Sequence, residues 1–445
     1  MARTLEQRLD ELCKGGVNTV RINYGDMHGI ARGKDLPVEH FAAAVEDGLG
    51  FCSANLADGL SHSLARLSAR IAGSPVDRAF PDMRVTPIAS TLAQLPWDPS
   101  IAWCLATIDP ADPRSVLSPR SALERASAAF RALGFAAMCA AELEFYLLKR
   151  ETSGFTRYTN QFSMVYTVGD RADPQSVVRE MVRNGRLVGL GVTACHHECG
   201  RGQFEINLNH SEALDAGDRA FRFKYMVKEL AARHGLVATF MGKPFADDAG
   251  SGLHVHVSLT NGRGNAFHDP HSPDGLSDLA KQFLAGVLAH APALAAFGSP
   301  TINSYKRIVP GTLVPTHANW GYDNRNAYAR VPPDRGKGTR LELRAADAAA
   351  NAYLVIAANL FAGLDGIRRQ LIPPAPVGPD AAVPAGQGLP ARLEDSLRAL
   401  KDDTVLSEAM GCPLVEGFCA LKRAEAEQFR RAVTDWELKE YAWHL

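Results

Sequence analysis

The sequence predicts an α+β protein of two domains, and three observations support this. The chain has 445 residues, more than one ordinary hydrophobic core accommodates. Apolar residues make up 46% of it and charged residues 22%, as in soluble globular proteins. Short segments with strand-like alternation are interspersed with long helical ones. We place the domain boundary near Ala111, which gives a small mixed domain over residues 1–110 and a larger domain over residues 111–445.

The small domain is predicted to begin with an amphipathic helix, because apolar residues recur at helical spacing from the N-terminus. The run Thr19-Val-Arg-Ile-Asn-Tyr indicates a strand. A helix follows from Leu36 to Asp47 and is entered through Pro37. Residues 80–99 contain several prolines, and we predict that they form mostly turns.

The larger domain is predicted to alternate strands with long helices. It opens with a helix that ends near Leu133, with Ser118 as its N-cap and Pro119 in its first turn. Further strands are predicted at Ala136–Leu148, Gly202–Leu208, Val237–Met241, His254–Leu259 and Thr339–Ala345. Further helices are predicted at Pro174–Leu190, Gly217–His234, Leu276–Ala291, Ala350–Arg369, Leu393–Asp402 and Arg423–His444. Residues 373–390 are rich in Pro and Gly and predict a surface loop.

The charge balance excludes several classes of partner. Lys and Arg number 48 against 49 Asp and Glu, so nothing favours nucleic acid or an acidic membrane surface. No apolar run is long enough to span a bilayer, and the N-terminus does not resemble a signal peptide. The eight cysteines form no Cys-x-x-Cys pair, which argues against a zinc knuckle or a disulfide framework. We expect a cytoplasmic enzyme.

Alternating charge in the last predicted strand is the strongest indication of a site. Side chains on a strand point to opposite faces in turn, so Arg340, Glu342 and Arg344 would share one face. Burying such a group is costly unless ligands satisfy the charges. The same alternation recurs in three other pairs: Glu142 with Glu144, Gln203 with Glu205, and His254 with His256. A sheet face that collects these groups predicts a site for metal ions and an anionic substrate.

Oxygen ligands suit Mg²⁺ and Mn²⁺, and imidazole suits Mn²⁺ better than Mg²⁺. The candidate ligands are Glu142, Glu144, Glu198, Glu205, His254 and Glu342. Any one of these glutamates alone would more often lie at a solvated strand edge, and His254 alone would more often be a core histidine. Their apolar surroundings favour ligands.

Cations are dense between residues 304 and 344, at Lys306, Arg307, Arg325, Arg330, Lys337, Arg340 and Arg344. Arginine binds carboxylate and phosphate bidentately and supports phosphoryl transfer. A charged surface loop is the alternative, but interleaved prolines and Trp320 favour an ordered segment. The turn at Gly250 would let the backbone approach a substrate, and a simple tight turn is the alternative. The chain has neither a Walker-type motif nor a dinucleotide fingerprint.

Taken in order, these segments resemble the glutamine synthetase family, and within it the γ-glutamyl-amine ligases. The matching stretches begin with Ala141-Glu-Leu-Glu-Phe-Tyr, His196-His-Glu-Cys-Gly-Arg-Gly-Gln-Phe-Glu, Lys243-Pro-Phe-Ala-Asp-Asp-Ala-Gly-Ser-Gly-Leu-His-Val-His and Ser304-Tyr-Lys-Arg-Ile-Val-Pro-Gly. They continue with Asn324-Arg-Asn-Ala-Tyr-Ala-Arg-Val-Pro, Arg340-Leu-Glu-Leu-Arg-Ala-Ala-Asp and Ala362-Gly-Leu-Asp-Gly-Ile. Seven ordered matches over roughly residues 15–440 are far more specific than one short pattern.

The resemblance implies a fold and an assembly. The fold would be an N-terminal β-grasp-like domain and a C-terminal catalytic domain with an antiparallel half-barrel sheet flanked by helices. The assembly would be a dodecamer of two hexameric rings, in which the neighbour's N-terminal domain completes each site. The C-terminal helix that starts near Trp436 matches the family's inter-ring element in position.

The resemblance also implies an ATP-dependent ligase with two or three Mg²⁺ or Mn²⁺ ions in each site. One metal would be held by Glu144, Glu198 and Glu205, and the other by Glu142, His254 and Glu342. Positions that match ATP- or phosphate-binding residues are His256, Ser258, Arg325, Arg330, Lys337 and Arg340. Gly250, Arg307 and Arg344 match positions that contact glutamate. Arg325, Arg344 and Glu342 match catalytic positions.

Three departures from the family concern the substrates. Glutamine synthetases carry a glutamate in a Pro-Gly-Tyr-Glu-Ala-Pro flap and an aspartate in a Phe-Asp-Gly-Ser loop, and here Leu313 and Cys52 stand in their places. Because those carboxylates bind and deprotonate ammonium, their loss predicts an organic amine, with Leu313 and Cys52 in the amine pocket. Ala249 replaces an asparagine that contacts the glutamate amino group. Two alternatives are glutamine synthetase itself and a non-catalytic structural relative.

Overall fold

The computed structural model describes residues 4–56, 58–60, 80–159, 165–378 and 386–445. Two large sheets dominate it, a six-stranded sheet between residues 19 and 108 and an eleven-stranded sheet between residues 136 and 343. Helices cover the larger sheet, which curls into a half-barrel. The predicted α+β fold class is therefore confirmed, whereas the exact division near residue 110 stays a prediction.

The N-terminal sheet has a β-grasp-like arrangement. Its strands are β1 (Thr19–Gly25), β2 (Ala31–Pro37), β3 (Leu49–Cys52), β4 (Asp82–Pro87), β5 (Ala93–Leu95) and β6 (Asp98–Ile108). The order is β2-β1-β6-β4-β3, and the central strands β1 and β6 are parallel. Two helices accompany it, α1 (Leu5–Lys14) and α2 (Phe41–Asp47).

Two predictions for this region were wrong in part. The helix predicted from Leu36 begins only at Phe41, because Leu36 and Pro37 complete β2 opposite β1. The segment predicted as turns contains β4 and β5. Alternate residues of β4 are buried, among them Met83 and Val85, and this short strand pattern lies hidden between prolines.

The larger sheet carries the predicted site residues. Its main strands, in spatial order, are β16 (Trp320–Tyr322), β17 (Ala329–Val331), β18 (Leu341–Leu343), β13 (Leu253–Asn261), β7 (Ala136–Glu151), β10 (Gln203–Leu208) and β9 (Val192–His197). All neighbours in this order are antiparallel except β16 and β17. The shorter strands are β8 (Gly154–Arg157), β11 (Ser211–Glu212), β12 (Leu236–Thr239) and β14 (Gly264–Asn265). A separate two-stranded pair joins β15 (His317–Ala318) to β19 (Gln387–Gly388).

The helices of this region agree with the predicted pattern, with three exceptions. They are α3 (Pro119–Ala132), α4 (Val177–Leu187), α5 (Ala213–Arg233), α6 (Asp278–Ala289), α7 (Ala291–Gly298), α8 (Ala352–Arg368), α9 (Leu393–Asp402), α10 (Thr404–Met410), α11 (Cys412–Arg431) and α12 (Asp435–Tyr441). Helices α7 and α10 were not predicted, and the helix predicted over Arg423–His444 is two helices, the first of which begins at Cys412. The second begins at a capping box in which Thr434 and Glu437 exchange hydrogen bonds.

One feature of this region confirms local reasoning from the sequence. The Ser118 hydroxyl accepts the backbone N–H of Ser121 at 3.2 Å and caps α3. Helices α6 and α8 approach so closely that a Cβ on Gly286 would lie 2.2 Å from the carbonyl oxygen of Ala362.

Within the described residues, no single helix is long and apolar enough to cross a membrane, although two bent helix pairs meet that test by length and composition.

Candidate active site

Cross-strand pairing brings the predicted carboxylates and imidazoles together. Glu142 on β7 lies opposite His254 on β13, and Glu144 lies opposite Glu205 on β10. Directly opposed residues share a face of the sheet with their Cβ atoms about 5 Å apart. The register of the sheet therefore assembles side chains that are up to two hundred residues apart in the chain.

His254 occupies the centre of this group. Its Nδ1 atom lies 3.4 Å from Glu142 Oε2 and 3.9 Å from Glu342 Oε1. Its Nε2 atom lies 3.9 Å from Glu144 Oε1. These distances leave several oxygen and nitrogen donors facing a common space.

Within the described residues, three sets of side chains have donor atoms close enough to hold a metal ion, namely Glu142–His256–Glu342, Glu142–Glu205–His254 and His196–Glu198–Glu205. Carboxylates with an imidazole fit Mn²⁺ and Mg²⁺. The two ligand sets implied by the resemblance overlap these three. The structure adds His256, predicted for the nucleotide, and His196, which was not predicted.

The charges of this cluster favour a divalent cation. Burial, and then the neighbouring carboxylates of Glu142, Glu144 and Glu198, raise the pKa of Glu205 well above its usual range. Burial likewise raises the pKa of Glu144. Buried carboxylates that repel one another are costly unless a cation compensates them. The donor set therefore fits the metals that the resemblance implies.

The two glutamates nearest the histidines behave differently. Burial acts to raise the pKa of Glu142, but His254 and His256 outweigh it and lower that pKa below its usual range. For Glu342, burial is outweighed by His254 first and then by Arg344, so its pKa falls to about 2. Both carboxylates are therefore held ionised, as metal ligands must be.

Hydrogen bonds fix the direction of the carboxylates. Glu144 Oε2 accepts the backbone N–H of Gly252 at 2.8 Å and the side-chain amide of Gln203 at 3.0 Å. Glu205 Oε1 accepts the amide of Asn207 at 2.8 Å. Such outer contacts orient the ligand atoms of metal sites. The alternation of Gln203 with Glu205 thus supplies one candidate ligand and one supporting group.

Arginines surround Glu342 as predicted, but with a different membership. Strand β18 covers only Leu341–Leu343. The Glu342 carboxylate forms ion pairs with Arg330 on one oxygen and Arg344 on the other. The Arg340 guanidinium donates instead to Asp334 at 2.8 Å and to His256 Nδ1 at 3.1 Å. The predicted shared face of three charged side chains is therefore only partly correct.

A cavity of about 630 Å³ adjoins the cluster. It is lined by Glu142, His256, Ser258, Lys337 and Arg340. Most of the residues predicted for ATP therefore face one space, whose volume suits a small-molecule ligand. Two others predicted for ATP, Arg325 and Arg330, do not line it.

The residues predicted for glutamate lie next to the other side of the cluster. A Cβ on Gly250 would lie 2.6 Å from Arg307 Cγ, so only glycine fits there. Arg307 is buried and donates to the carbonyl of Ala345 at 3.3 Å, while its Nε–H has no partner in the described structure. Gly252 separates it from Glu144. Burial lowers the pKa of Arg307, and a bound carboxylate would stabilise its charge.

The residues predicted for the amine pocket lie elsewhere in this single chain. Cys52 ends β3 in the N-terminal sheet, with its Sγ atom 3.8 Å from the carbonyl of Phe80. Leu313 is half exposed in a loop and has a φ of 59°. Neither lines the cavity beside the metal cluster. Their predicted role stays a prediction.

His196 is the residue of the cluster that reasoning from the sequence missed. Its Nε2 atom lies 2.7 Å from Glu198 Oε1 and 3.7 Å from Glu205 Oε1. It lies opposite Glu205 in the pairing of β9 with β10. The His-x-Glu spacing of His196 and Glu198 was an available signal, but β9 had not been predicted as a strand.

Comparisons with known proteins identify the family of the chain. The family model described as the glutamine synthetase catalytic domain matches residues 116–441. Glutamine synthetase of Thermotoga maritima is 34% identical over 96% of this chain and 97% of its own length. Glutamine synthetase of Methanocaldococcus jannaschii is 34% identical over 99% and 98%. A solved structure of GmaS in complex with ADP superposes with a TM-score of 0.86 at 33% identity, covering 98% of this chain and 99% of that one. The chain belongs to the glutamine synthetase family.

Proposed function

We propose that this ATP-dependent ligase of the glutamine synthetase family joins the γ-carboxylate of glutamate to an organic amine. The observation that carries the choice of amine is Leu313, which stands where the family's ammonium-binding glutamate is expected. Leucine neither deprotonates ammonium nor attracts it. The similarity to GmaS, a γ-glutamylmethylamide synthetase, supports the same choice.

The metal ions would be held as the resemblance implies. Glu144, Glu198 and Glu205 would hold one ion, with His196 beside them. Glu142, His254 and Glu342 would hold the other, with His256 beside them. When bound, Mg²⁺ or Mn²⁺ supplies positive charge that offsets the charge of the phosphates. The mutual repulsion of these buried carboxylates supports their assignment as ligands.

The chain's own cations would bind the two anionic substrates. Ser258, Lys337 and Arg340 face the cavity proposed for ATP. Arg325, Arg330 and Arg344 would stabilise the phosphoryl group during transfer, with Glu342 fixing the direction of the last two. Arg307, Arg344 and the backbone at Gly250 would hold glutamate. Positioning of two anions against each other supplies much of the rate.

The reaction would proceed in two displacements. A γ-carboxylate oxygen of glutamate attacks the γ-phosphorus of ATP and releases ADP, which gives γ-glutamyl phosphate. The amine nitrogen then attacks the γ-carbonyl carbon and expels phosphate. The proton lost from the amine passes to a basic group or to water.

Glutamine synthesis from ammonium is the second candidate, because the relatives at 34% identity are named glutamine synthetases. The two functions differ only in the nucleophile.

Leu313 and Cys52 would form part of the amine pocket, with Cys52 reaching the site of a neighbouring copy. We propose a dodecamer of two hexameric rings, as the family resemblance implies. All eight cysteines are free thiols, which is typical of a reducing compartment and supports a cytoplasmic location.

The test is ATP-dependent phosphate release with Mg²⁺ and glutamate over a panel of amines that includes ammonium, methylamine, ethanolamine, benzylamine and putrescine. We expect one organic amine to exceed ammonium at least tenfold in kcat/KM. Release that is as fast with ammonium would contradict the proposal and return the chain to glutamine synthesis. Mass spectrometry of the product identifies the amide in either case.

A further inference from the structure

A second large cavity lies apart from the candidate active site. Its volume is about 550 Å³, within the range of small-molecule sites. Residues 27–30 form one wall, α5 and the chain after β12 a second, and α11 a third. No residue predicted here for metal, ATP, glutamate or amine lines it.

This cavity carries an excess of positive charge. Among the described residues, its lining includes Lys224, Lys228, Lys306 and Lys422 but a single carboxylate, that of Glu425. Lys422 Nζ pairs with Glu425 Oε2 at 2.9 Å. In the described part of the chain, no ion pair reaches the other three lysines. No salt bridge among the described residues therefore neutralises them, although Asp347 and Asp26 favour the charged forms of Lys224 and Lys228 from beyond salt-bridge distance.

The lysines are set among aromatic and aliphatic side chains. The ammonium groups of Lys224 and Lys228 lie 5.3 Å and 5.9 Å from the ring centroid of Phe240. That of Lys306 lies 5.5 Å from the ring centroid of Phe429. Burial, together with Lys228, lowers the pKa of Lys224 to about 7. An anion in the cavity would restore the charged form of Lys224.

One histidine in the lining does not add to the charge. Burial, and then Lys422, lower the pKa of His28 to about 3. Its ring is therefore neutral near pH 7, with Nδ1 3.2 Å from Lys422 Nζ and Nε2 3.2 Å from the carbonyl oxygen of Asp58. Apolar walls with three lysines that form no salt bridge among the described residues match an anion that has an apolar body.

The walls of the cavity continue into the candidate active site. Lys224 Nζ donates to the carbonyls of Ala348 and Ala350 at 2.6 Å and 2.7 Å. The backbone N–H of Ala348 donates in turn to the carbonyl of Ser251 at 3.0 Å, next to Gly250. An occupant that moves Lys224 would therefore act on the turn proposed to contact glutamate.

A second connection runs through the segment that contains Lys306. Asn303, which also lines the cavity, accepts the backbone N–H of Lys243 at 2.8 Å through its side-chain oxygen. Its side-chain amide donates to the Lys243 carbonyl at 2.9 Å. Arg307 follows Lys306 directly in the chain. Two hydrogen-bonded segments thus join the cavity to the proposed glutamate residues.

We propose that this cavity binds a small organic anion with an apolar body, a carboxylate or a phosphate monoester, and that its occupancy alters glutamate binding. The anionic group would lie among Lys224, Lys228 and Lys306, and the apolar body against Phe240 and the neighbouring aliphatic walls. The effect on glutamate rests on the proposed function, whereas the binding itself does not.

Calorimetric titration of the full-length protein tests the binding with defined probes. We expect octanoate or octyl phosphate to saturate one site per chain, and the tighter of the two identifies the anionic group. Acetate, which lacks the apolar body, and 1-octanol, which lacks the charge, should bind at least tenfold more weakly. ATP together with glutamate should leave the binding in place.

The double variant K228Q/K306Q should bind the probe at least tenfold more weakly, whereas K149Q, which changes an exposed lysine on β7, should bind it as the wild type does. Thermal unfolding checks that the variants fold, and K228Q alone serves if the double variant does not. Equal affinity in all proteins, displacement by the substrates, or no binding to the wild type would overturn the proposal. Binding that appears only after dilution would also overturn it, because a second copy would then cover the cavity.

In an active enzyme, the probe should shift the KM for glutamate in K149Q but not in K228Q/K306Q.

Discussion

At the residue scale, the cluster of buried carboxylates is expected to lower the stability of the metal-free protein and to bind a divalent cation. Glu205 is buried close to three other carboxylates, and burial together with that repulsion raises its pKa. A divalent cation that binds only the folded state would stabilise the protein by mass action. The size of that stabilisation reports on the ligands independently of catalysis.

Substitution of Glu205 by Gln removes one negative charge while keeping the shape of the side chain. We expect Mn²⁺ to raise the melting temperature of the wild type clearly and that of E205Q much less, and we expect phosphate release to fall by about 100-fold or more. Differential scanning fluorimetry with and without Mn²⁺ measures the first effect. The control is E212Q on the solvent-facing strand β11, and an equal Mn²⁺ shift in both variants would contradict the assignment.

The identity of the amine is expected to depend on Leu313. Replacing it by Glu restores the carboxylate that the family uses for ammonium, so L313E should gain about tenfold in kcat/KM for ammonium relative to the preferred organic amine. The matched control is L187E, since Leu187 is also an exposed leucine. A variant L313E whose ratio equals that of L187E would remove Leu313 from the amine pocket.

At the element scale, a buried histidine joins three helices. His290 lies between α6 and α7, with Nδ1 2.5 Å from Asp403 Oδ2 and Nε2 3.1 Å from Asp365 Oδ2. Burial alone would lower the pKa of His290, but Asp403 and then Asp365 outweigh it and raise the pKa. The protonated ring therefore links α8 to the N-terminus of α10.

The stability that His290 contributes should depend on pH. A raised folded-state pKa means that the contribution is fully present below the unfolded pKa, near 6.5, and is lost as the pH rises through the folded value. The free energy of unfolding of H290Q should lie about 1.5 to 3 kcal/mol below that of the wild type at pH 6, and the gap should narrow above it. Urea unfolding across pH 5.5–9 measures this. The variant H271Q, at an exposed position, is the control, and a gap that widens with pH would refute the assignment.

Elements with a strong local pattern could be predicted from the sequence. Strand β7 was found because apolar residues flank its charged pair, and β13 because valines and leucines alternate with its histidines. Helix α8 was found because almost every residue from Ala352 to Leu364 is apolar, as its burial on all sides requires. Strand β9 was missed because its middle residues, Thr193 to Cys195, are exposed. Its pairing with β10 depends on tertiary contacts.

Which residues gather in the candidate site could be predicted from the sequence better than how they are arranged. Alternation placed Glu142 and Glu144 on one face without any knowledge of neighbouring strands. The register that sets Glu144 opposite Glu205 depends on how distant segments pair, which periodicity does not specify. Arg340 donates to Asp334 because it lies just before β18 and not within it. The sequence pattern does not specify the ends of so short a strand.

At the scale of the whole molecule, the C-terminal segment is the clearest sign of assembly. Its large apolar side chains are exposed, with Trp436 at 60%, Leu438 at 56% and Trp443 at 89% of full exposure. Monomeric proteins rarely leave such groups together in water, and exposed apolar patches mark interaction surfaces. The resemblance places this segment between two rings. The proposed neighbour that completes each site makes assembly a requirement for activity.

Replacing both tryptophans, in W436S/W443S, should therefore reduce the assembly. We expect light scattering after size exclusion to show a mass of twelve times the 48.0 kDa chain for the wild type. For the variant we expect about half of that mass, which corresponds to a single ring, because the contacts within each ring remain. Activity per chain should persist in the variant, since the site would be completed within a ring. The matched control is F155S, which removes an aromatic side chain that is 51% exposed on β8. If W436S/W443S keeps the mass of the wild type, the C-terminal segment does not join the rings. If it falls to single chains and loses all activity, the segment instead holds each ring together.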